Sequence, residues 1–308
     1  MNAAGVSRSS GGRVEGARDS GGFWGHSVGS ENVPKSRMQR QDLRGCALSH
    51  LEALLLGVVQ GLTEFLPVSS SGHLVMFSTL LGLESEGGLL FEVAVHVATL
   101  LAIALYYRAK ILELVIGVVG REASALRYVG KLIVATLPAI AVALIARGIL
   151  EQVLSSPAVA SAGLLVTGAI LWSTRTTLEK ADQTEPSWAG ALLIGVAQAF
   201  AILPGISRSG STVAAALALG VAPAAAAEFS FLMGIIAISG AAVLMLPGLG
   251  DASPETLMAI ALGCCAALSS GLVAIWLFVM LLRRKTFYQF AYYTCTVGVL
   301  FGLFIYFG

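Results

Sequence analysis

Charge is what this sequence has least of. Only 12% of its 308 residues are Asp, Glu, Lys or Arg, against about 25% in soluble globular domains. The shortage is sharpest from Leu51 to Phe307, where long apolar runs follow one another almost without interruption. A water-soluble fold with a charged surface is excluded by that pattern. A net charge of +1 argues against a nucleic-acid partner, because such domains are strongly basic. Cysteine is scarce too. Cys46, Cys264, Cys265 and Cys295 show no metal-ligand or redox spacing, so they read as small packed side chains. Mean hydropathy is +0.82, and a polytopic α-helical membrane protein accounts for it.

Residues 1–47 stand apart. They are rich in Gly, Ser and Arg with no apolar period, so a disordered tail is expected there. No hydrophobic core follows the early arginines, so the tail does not read as a signal peptide. Glu15, Asp19, Glu31 and Asp42 count against a transit peptide. The domain expected over 48–308 begins near Leu51.

Six apolar runs, at about 89–106, 132–149, 158–174, 225–247, 256–282 and 287–307, are each near the ~20 residues that span a bilayer. Two further stretches, about 50–82 and 188–220, are interrupted and read as re-entrant hairpins of two half-length helices each. Basic residues cluster in three places: Arg108 to Lys131, Arg175 to Lys180, and Arg283 to Lys285. Between the apolar runs, the turns near Glu84 and Glu86, near Glu151 and near Asp251 have no Lys or Arg. The positive-inside rule then puts the basic loops in the cytoplasm and both termini outside. The tail, with seven Lys or Arg, is the discordant feature of that threading.

The first interrupted stretch, Gly57–Leu74, reads GVVQGLTEFLPVSSSGHL; the second, Gly195–Thr212, reads GVAQAFAILPGISRSGST. At an offset of 195 − 57 = 138 they share Gly57/Gly195, Val58/Val196, Gln60/Gln198, Ser69/Ser207, Ser71/Ser209 and Gly72/Gly210. Three spans follow each copy, and an odd number turns the second upside down. The expected fold is therefore all-α: six transmembrane helices and two re-entrant hairpins in an inverted repeat, with repeats at about 50–174 and 188–307.

Polar groups in these hairpins are costly in hydrocarbon and mark a functional site. Arg208 cannot deprotonate and needs an anionic partner, either a phosphate or an internal salt bridge to Glu64. Ser207, Ser209, Ser211 and Thr212 surround it with hydroxyls, and Gly210 permits a tight turn. Ser70 and His73 are i and i+3, and Ser69 and His73 are i and i+4, so either pair shares a helix face. A serine beside an imidazole is the minimal activated nucleophile. His73 is alternatively a general acid, itself the nucleophile, or a satisfied histidine near a serine-rich cap. Glu64 suits cation ligation, orientation of His73, or acid–base work. Gln60, one turn earlier, offers only hydrogen bonds. Glu92 and Glu228 open the spans after the hairpins and read as metal ligands or as ordinary acids at a helix start. His96, one turn after Glu92, reads as packed or interfacial rather than as a ligand.

Such a pocket suits cleavage of a phosphate ester or anhydride on a lipid. A transporter or flippase for a lipid-linked or small anion is the rival, since inverted repeats are transporter architecture. The unequal polar content of the two hairpins favours catalysis.

QGLTEFLPVSSSGHL and PGISRSGST together resemble the undecaprenyl-diphosphate phosphatase family of the bacitracin-resistance type, over about residues 50–308. The resemblance implies hydrolysis of the C55 isoprenyl diphosphate to the monophosphate and phosphate. That recycles the lipid carrier for cell-wall synthesis, and bacitracin competes for the same substrate. It also implies a divalent cation, Mg²⁺ or Ca²⁺, and a site open to the outer face of the bacterial plasma membrane. Carried over by position, the catalytic residues are Glu64, Ser70, His73 and Arg208, with Glu64 also a metal ligand. Ser69, Ser71, Ser207, Ser209, Gln60 and Gln198 become phosphate-binding candidates. Where some members have a glutamate this chain has Gln60, which leaves Glu64 as the only acid of the first motif. A homodimer stays open as an assembly.

Overall fold

A computed structural model of the protein describes residues 49–81, 88–146, 148, 153–177, 182–245 and 254–307. The expected tail, Cys46, and the turns near Glu84, Glu86, Glu151 and Asp251 lie outside them. Among the described residues the chain is helical throughout, with one isolated bridge between Gln183 and Val221. The elements are α1 (His50–Phe65), α2 (Ser70–Leu81), α3 (Gly88–Tyr106), α4 (Arg108–Val119), α5 (Ala123–Ile145) and α6 (Pro157–Ser173). They continue as α7 (Trp188–Phe200), α8 (Arg208–Ala218), α9 (Pro223–Met245), α10 (Pro254–Arg283) and α11 (Phe290–Phe307).

Five helices are long and apolar enough to cross a membrane, and α3 with α4 makes a sixth if that bent pair is one span. Outward-facing Leu101, Leu105, Ile133, Leu144, Trp276, Leu300 and Phe304 are exposed. In water such a surface would be unfavourable, but it suits hydrocarbon, where helices satisfy their own backbone.

The helix ends follow local chemistry. Ser49 and Glu52 form a reciprocal capping box that starts α1. Pro67 excludes the α conformation just before it, so α1 stops at Phe65. Ser156, Ser187 and Ser207 cap α6, α7 and α8 through their hydroxyls. The two interrupted stretches are thus helix pairs, α1–α2 and α7–α8, each too short singly to span a bilayer.

One expected loop is a helix. The stretch from Arg108 to Lys131 holds α4 and the first nine residues of α5, and α4 leaves α3 at 77°. Lys110 pairs with Glu113 at 2.9 Å along α4, so the charges read as loop are an i, i+3 pair. Lys131 is buried in α5 and binds Glu185 at 3.0 Å. The α5 helix begins well before the apolar run because its first turns carry long basic side chains. Such chains reach a polar boundary while their stems stay packed.

Small residues bring the hairpins into place. A Cβ at Gly57 would overlap the Gly263 backbone, and one at Gly61 would overlap the Ala267 backbone. That four-residue spacing seats α1 against α10 at backbone contact, the small-xxx-small packing used between helices in lipid. The same holds for α7 on α5, where Gly195 meets the backbone of Ala135. Each hairpin's first helix is therefore seated on the second span of the other half. Beneath the first hairpin runs an edge-to-face chain of Phe65, Phe231, Phe278 and Phe287, with centroids 5.1–5.6 Å apart, a geometry that adds to burial.

Candidate active site

The tips of the two hairpins meet inside the bundle. A Cβ at Gly72 would lie 2.8 Å from the Gly205 Cα. Gly205 has φ +85 and sits against the backbone of α6 at Ala160 and Leu164, a conformation and an approach open to glycine. Thr167 of α6 ties this tip down. Its hydroxyl donates to the Gly205 carbonyl at 2.7 Å and accepts from the Ser207 N–H at 2.9 Å.

Each tip then starts a helix in the same way. The Ser69 hydroxyl accepts from the Gly72 N–H at 3.3 Å, and the Ser207 hydroxyl from the Gly210 N–H at 3.1 Å. Ser69 and Ser71 hydroxyls lie 3.3 Å apart, as do Ser207 and Ser209. Ser69 has φ 70, a left-handed conformation that costs a non-glycine residue about 1–2 kcal/mol. All four serines thus sit at helix starts, where backbone N–H groups gather.

Glu64 is the centre. Arg208 Nη2 donates to its Oε1 at 2.5 Å. The Ser70 hydroxyl donates to its Oε2 at 2.7 Å and the Gln60 amide at 3.0 Å. His96 Nε2 lies 3.7 Å from the same oxygen. Glu64 and Gln60 are buried, and a buried carboxylate is stable only when paired in this way. Arg208 Nη1 has no hydrogen-bond partner among the described residues. A Cβ at Gly234 would overlap that nitrogen, so α9 leaves room for the guanidinium there.

His73 stands next to this centre without joining it. Its Nδ1 donates to the Ser69 carbonyl at 2.8 Å, which leaves the neutral ring's Nε2 to accept from the Tyr293 hydroxyl at 2.9 Å. The two rings lie nearly parallel, with centroids 5.7 Å apart. The serine–imidazole pair expected from i, i+3 spacing is therefore not hydrogen-bonded. Ser70 is turned toward Glu64 at the end of α1, because Ser70 opens α2 beside that end.

Gln198 is buried and neither of its amide atoms finds a partner among the described residues, so no hydrogen bond joins it to Glu64. Glu92 is exposed and its carbonyl accepts from His96 Nδ1. Glu228 faces Tyr128 at 3.3 Å and Lys110 at 4.0 Å, away from Glu64. Two residues that meet the site come from spans that carry no motif: Tyr293 of α11 and His96 of α3.

Chemically, the arrangement offers a serine hydroxyl bonded to a carboxylate, an arginine nitrogen ready for an oxyanion, and an imidazole one helix turn away. Such an arrangement could serve phosphoryl transfer, with a carboxylate from one half of the chain and a guanidinium from the other.

The profile of the family described as "Bacitracin resistance protein BacA" matches residues 53–300. The chain belongs to that family. It is also similar to a protein of Desulfatibacillum aliphaticivorans named undecaprenyl-diphosphatase, 40% identical over 265 residues, covering 80% of this chain and 96% of the relative. A protein of the same name from Acinetobacter baumannii is 34% identical over 254 residues, covering 81% of this chain and 93% of the relative.

The resemblance to this family implies a divalent cation, and the donor set can be tested against one. Among the described residues no group of three or more His, Cys, Asp or Glu side chains is placed to hold a metal. A mixed set is nevertheless present. Gln60 Oε1 is buried without a partner, Glu64 Oε2 is beside its amide, and His96 Nε2 faces that carboxylate oxygen with its other nitrogen held by a carbonyl. Gln60 presents its amide nitrogen to Glu64 as placed, so Glu64 is the carboxylate that would hold a cation, with the Gln60 amide and His96 imidazole as the neighbouring donors and waters or substrate oxygens in the other positions.

Proposed function

We propose that this protein hydrolyses undecaprenyl diphosphate to undecaprenyl phosphate and inorganic phosphate. The membership of the BacA family and the relatives' names support the activity. The observation that carries the mechanism is the Ser70–Glu64–Arg208 chain of hydrogen bonds, which crosses from one hairpin to the other.

Arg208 Nη1 binds an oxygen of the terminal phosphoryl group while Nη2 stays on Glu64. The helix-start serines, Ser69 and Ser71 on one tip and Ser207 and Ser209 on the other, supply neutral donors around the diphosphate, with Gln60 and Gln198 nearby on the first helices. Ser70 Oγ attacks the terminal phosphorus and its proton passes to Glu64. The P–O bond to the inner phosphate breaks, and undecaprenyl phosphate leaves. Glu64 gives that proton up to the departing undecaprenyl phosphate. Water then cleaves the phosphoseryl bond, and Glu64 takes the water proton and returns it to Ser70 Oγ as phosphate is released. His73, freed from Tyr293, handles protons on the departing oxygens. A divalent cation held through Glu64 supplies charge neutralisation on the diphosphate when bound.

The setting follows from the same reading. The chain is a multi-pass membrane protein, which we place in the bacterial plasma membrane with the site open to the outer side. There, hydrolysis recycles the lipid carrier for cell-wall synthesis and removes the diphosphate that bacitracin sequesters. The reading takes the halves as an inverted repeat. Its support is the exchange of partners, α1 on α10 and α7 on α5, and the matching serine caps.

The test is phosphate release by detergent-purified protein from a long-chain isoprenyl diphosphate. Release that is stopped by Ser70→Ala is expected. Folded protein that releases no phosphate with Mg²⁺ or Ca²⁺ present would overturn the reading.

A further inference from the structure

Among the described residues, His96 is the one titratable group beside Glu64 that the mechanism leaves without a task. It projects from α3, a span with no motif, and its position is constrained twice. Its Nδ1 donates to the Glu92 carbonyl at 2.7 Å, which fixes the tautomer and leaves a lone pair on Nε2. That atom lies 3.7 Å from Glu64 Oε2. A ligating histidine is commonly held in this way, with a backbone carbonyl taking the other ring nitrogen.

Gln60 supplies the second anomaly. The residue is fully buried, its amide nitrogen donates to Glu64 Oε2 at 3.0 Å, and its Oε1 is unsatisfied. A buried carbonyl oxygen without a partner costs about 1–3 kcal/mol. Rotating the amide by half a turn, which changes no heavy-atom positions appreciably, puts that oxygen where the nitrogen now stands. That oxygen then lies 3.0 Å from Glu64 Oε2, the same atom that His96 Nε2 approaches at 3.7 Å. Adjacent ligands of an octahedral ion with bonds of about 2.1 Å are about 3 Å apart, so these separations need only a small contraction.

The repeat register makes the placement specific. At the hairpin offset of 138, His96 corresponds to Gly234, since 234 − 96 = 138. Gly234 faces Arg208, and a Cβ there would overlap the guanidinium. The same register position thus approaches both members of the central pair. In one half it carries an imidazole toward the carboxylate, and in the other it clears space for the cation of the arginine. At the offset of Glu64 the second half has Ile202, so the equivalent place there has no anion to share with a metal.

We propose that His96 Nε2, Gln60 Oε1 and Glu64 Oε2 together ligate the divalent cation, with His96 standing in for the second carboxylate that the first motif lacks. The proposal rests on the phosphatase reading only for the presence of a cation. It also predicts preference. Imidazole raises affinity for borderline metals, whereas Mg²⁺ and Ca²⁺ favour oxygen alone. Mn²⁺ therefore binds this site more tightly than either.

The test uses the detergent-purified full chain with Mn²⁺ as probe. Electron spin-echo envelope modulation reads nitrogen bound to Mn²⁺ directly, and isotopic replacement of histidine nitrogen by ¹⁵N identifies it as imidazole without any mutation. The expected result is an imidazole-nitrogen modulation that shifts on ¹⁵N-histidine labelling and disappears in His96→Gln. A parallel titration should show Mn²⁺ binding weakened at least ~10-fold in His96→Gln, with Mg²⁺ binding changed far less. Mn²⁺ bound without imidazole modulation would overturn the proposal and leave His96 as a charge partner of Glu64. Modulation that persists in His96→Gln would overturn it in favour of His73. Absence of Mn²⁺ binding would overturn it as well, and phosphate release measured on the same preparation reports separately whether the phosphatase reading stands.

Discussion

Arg208 Nη2 and Glu64 Oε1 are 2.5 Å apart across 144 residues of sequence, and this contact joins the tips of two separate hairpins. Neither residue is tolerable alone in a bundle set in lipid. Together they neutralise each other, with Arg208 Nη1 left without a partner among the described residues and Glu64 Oε2 bonded to Ser70 and Gln60.

The arginine is expected to be irreplaceable. Arg208→Ala should lower phosphate release by at least ~100-fold, the scale for losing an electrostatic stabiliser of the transferred group. Arg208→Lys should recover little of it, because an ammonium cannot hold Glu64 and a phosphoryl oxygen with two fixed donors. Near-normal turnover in the lysine variant would show that the fork geometry is not used.

The serine and the glutamate should fail together. Ser70→Ala and Glu64→Gln are each expected to cost at least ~100-fold in kcat. The double variant should be little worse than the poorer single one, since residues acting as a unit are not additive. Substantial turnover in Ser70→Ala would remove serine as nucleophile and leave His73 or water in that role.

Tyr293 is expected to act through His73. Tyr293→Phe keeps the stacked ring but removes the hydroxyl that binds Nε2. A fall in kcat of about 3–10-fold with KM unchanged is expected, since one hydrogen bond is worth about 0.5–1.5 kcal/mol. An unchanged kcat would mean that His73 does not depend on the tyrosine for its placement.

Two glycines should separate tip geometry from helix propensity. Gly205→Ala should sharply lower thermal stability in detergent, because φ is +85 and a Cβ would overlap the Ala160 carbonyl. Left-handed backbone alone costs about 1–2 kcal/mol. Gly240→Ala in α9 meets nothing within 4 Å and should be neutral or stabilise by up to about 1 kcal/mol. Equal effects would refute the tip-to-tip packing.

The hairpins were legible because their signals are local. Pro67 and Pro204–Gly205 break the helices, and Ser69 and Ser207 restart them in the same register. The pairing of Glu64 with Arg208 was one of two partners open to the arginine, because an intramembrane arginine admits few. Other parts of the site carry no local signal. Tyr293 and His96 sit in apolar spans, and only the packing of α11 and α3 brings them to the hairpins. Helical spacing pointed Ser70 toward His73, but the first residue of α2 faces back to the end of α1. The bend at Tyr107 has neither proline nor glycine to announce it, so α4 looked like the charged loop that its lysine and arginine suggest.

The central claim is that the paired hairpins hydrolyse a lipid diphosphate, and the most direct measurement is inorganic phosphate released from undecaprenyl diphosphate by the purified full chain, with Arg208→Ala alongside. The account predicts one phosphate per lipid monophosphate formed, stopped by a chelator and reduced at least ~100-fold in the variant. Folded wild-type protein that releases no phosphate, or an Arg208→Ala variant that matches it, would contradict the account and favour a transport role for the same hairpins.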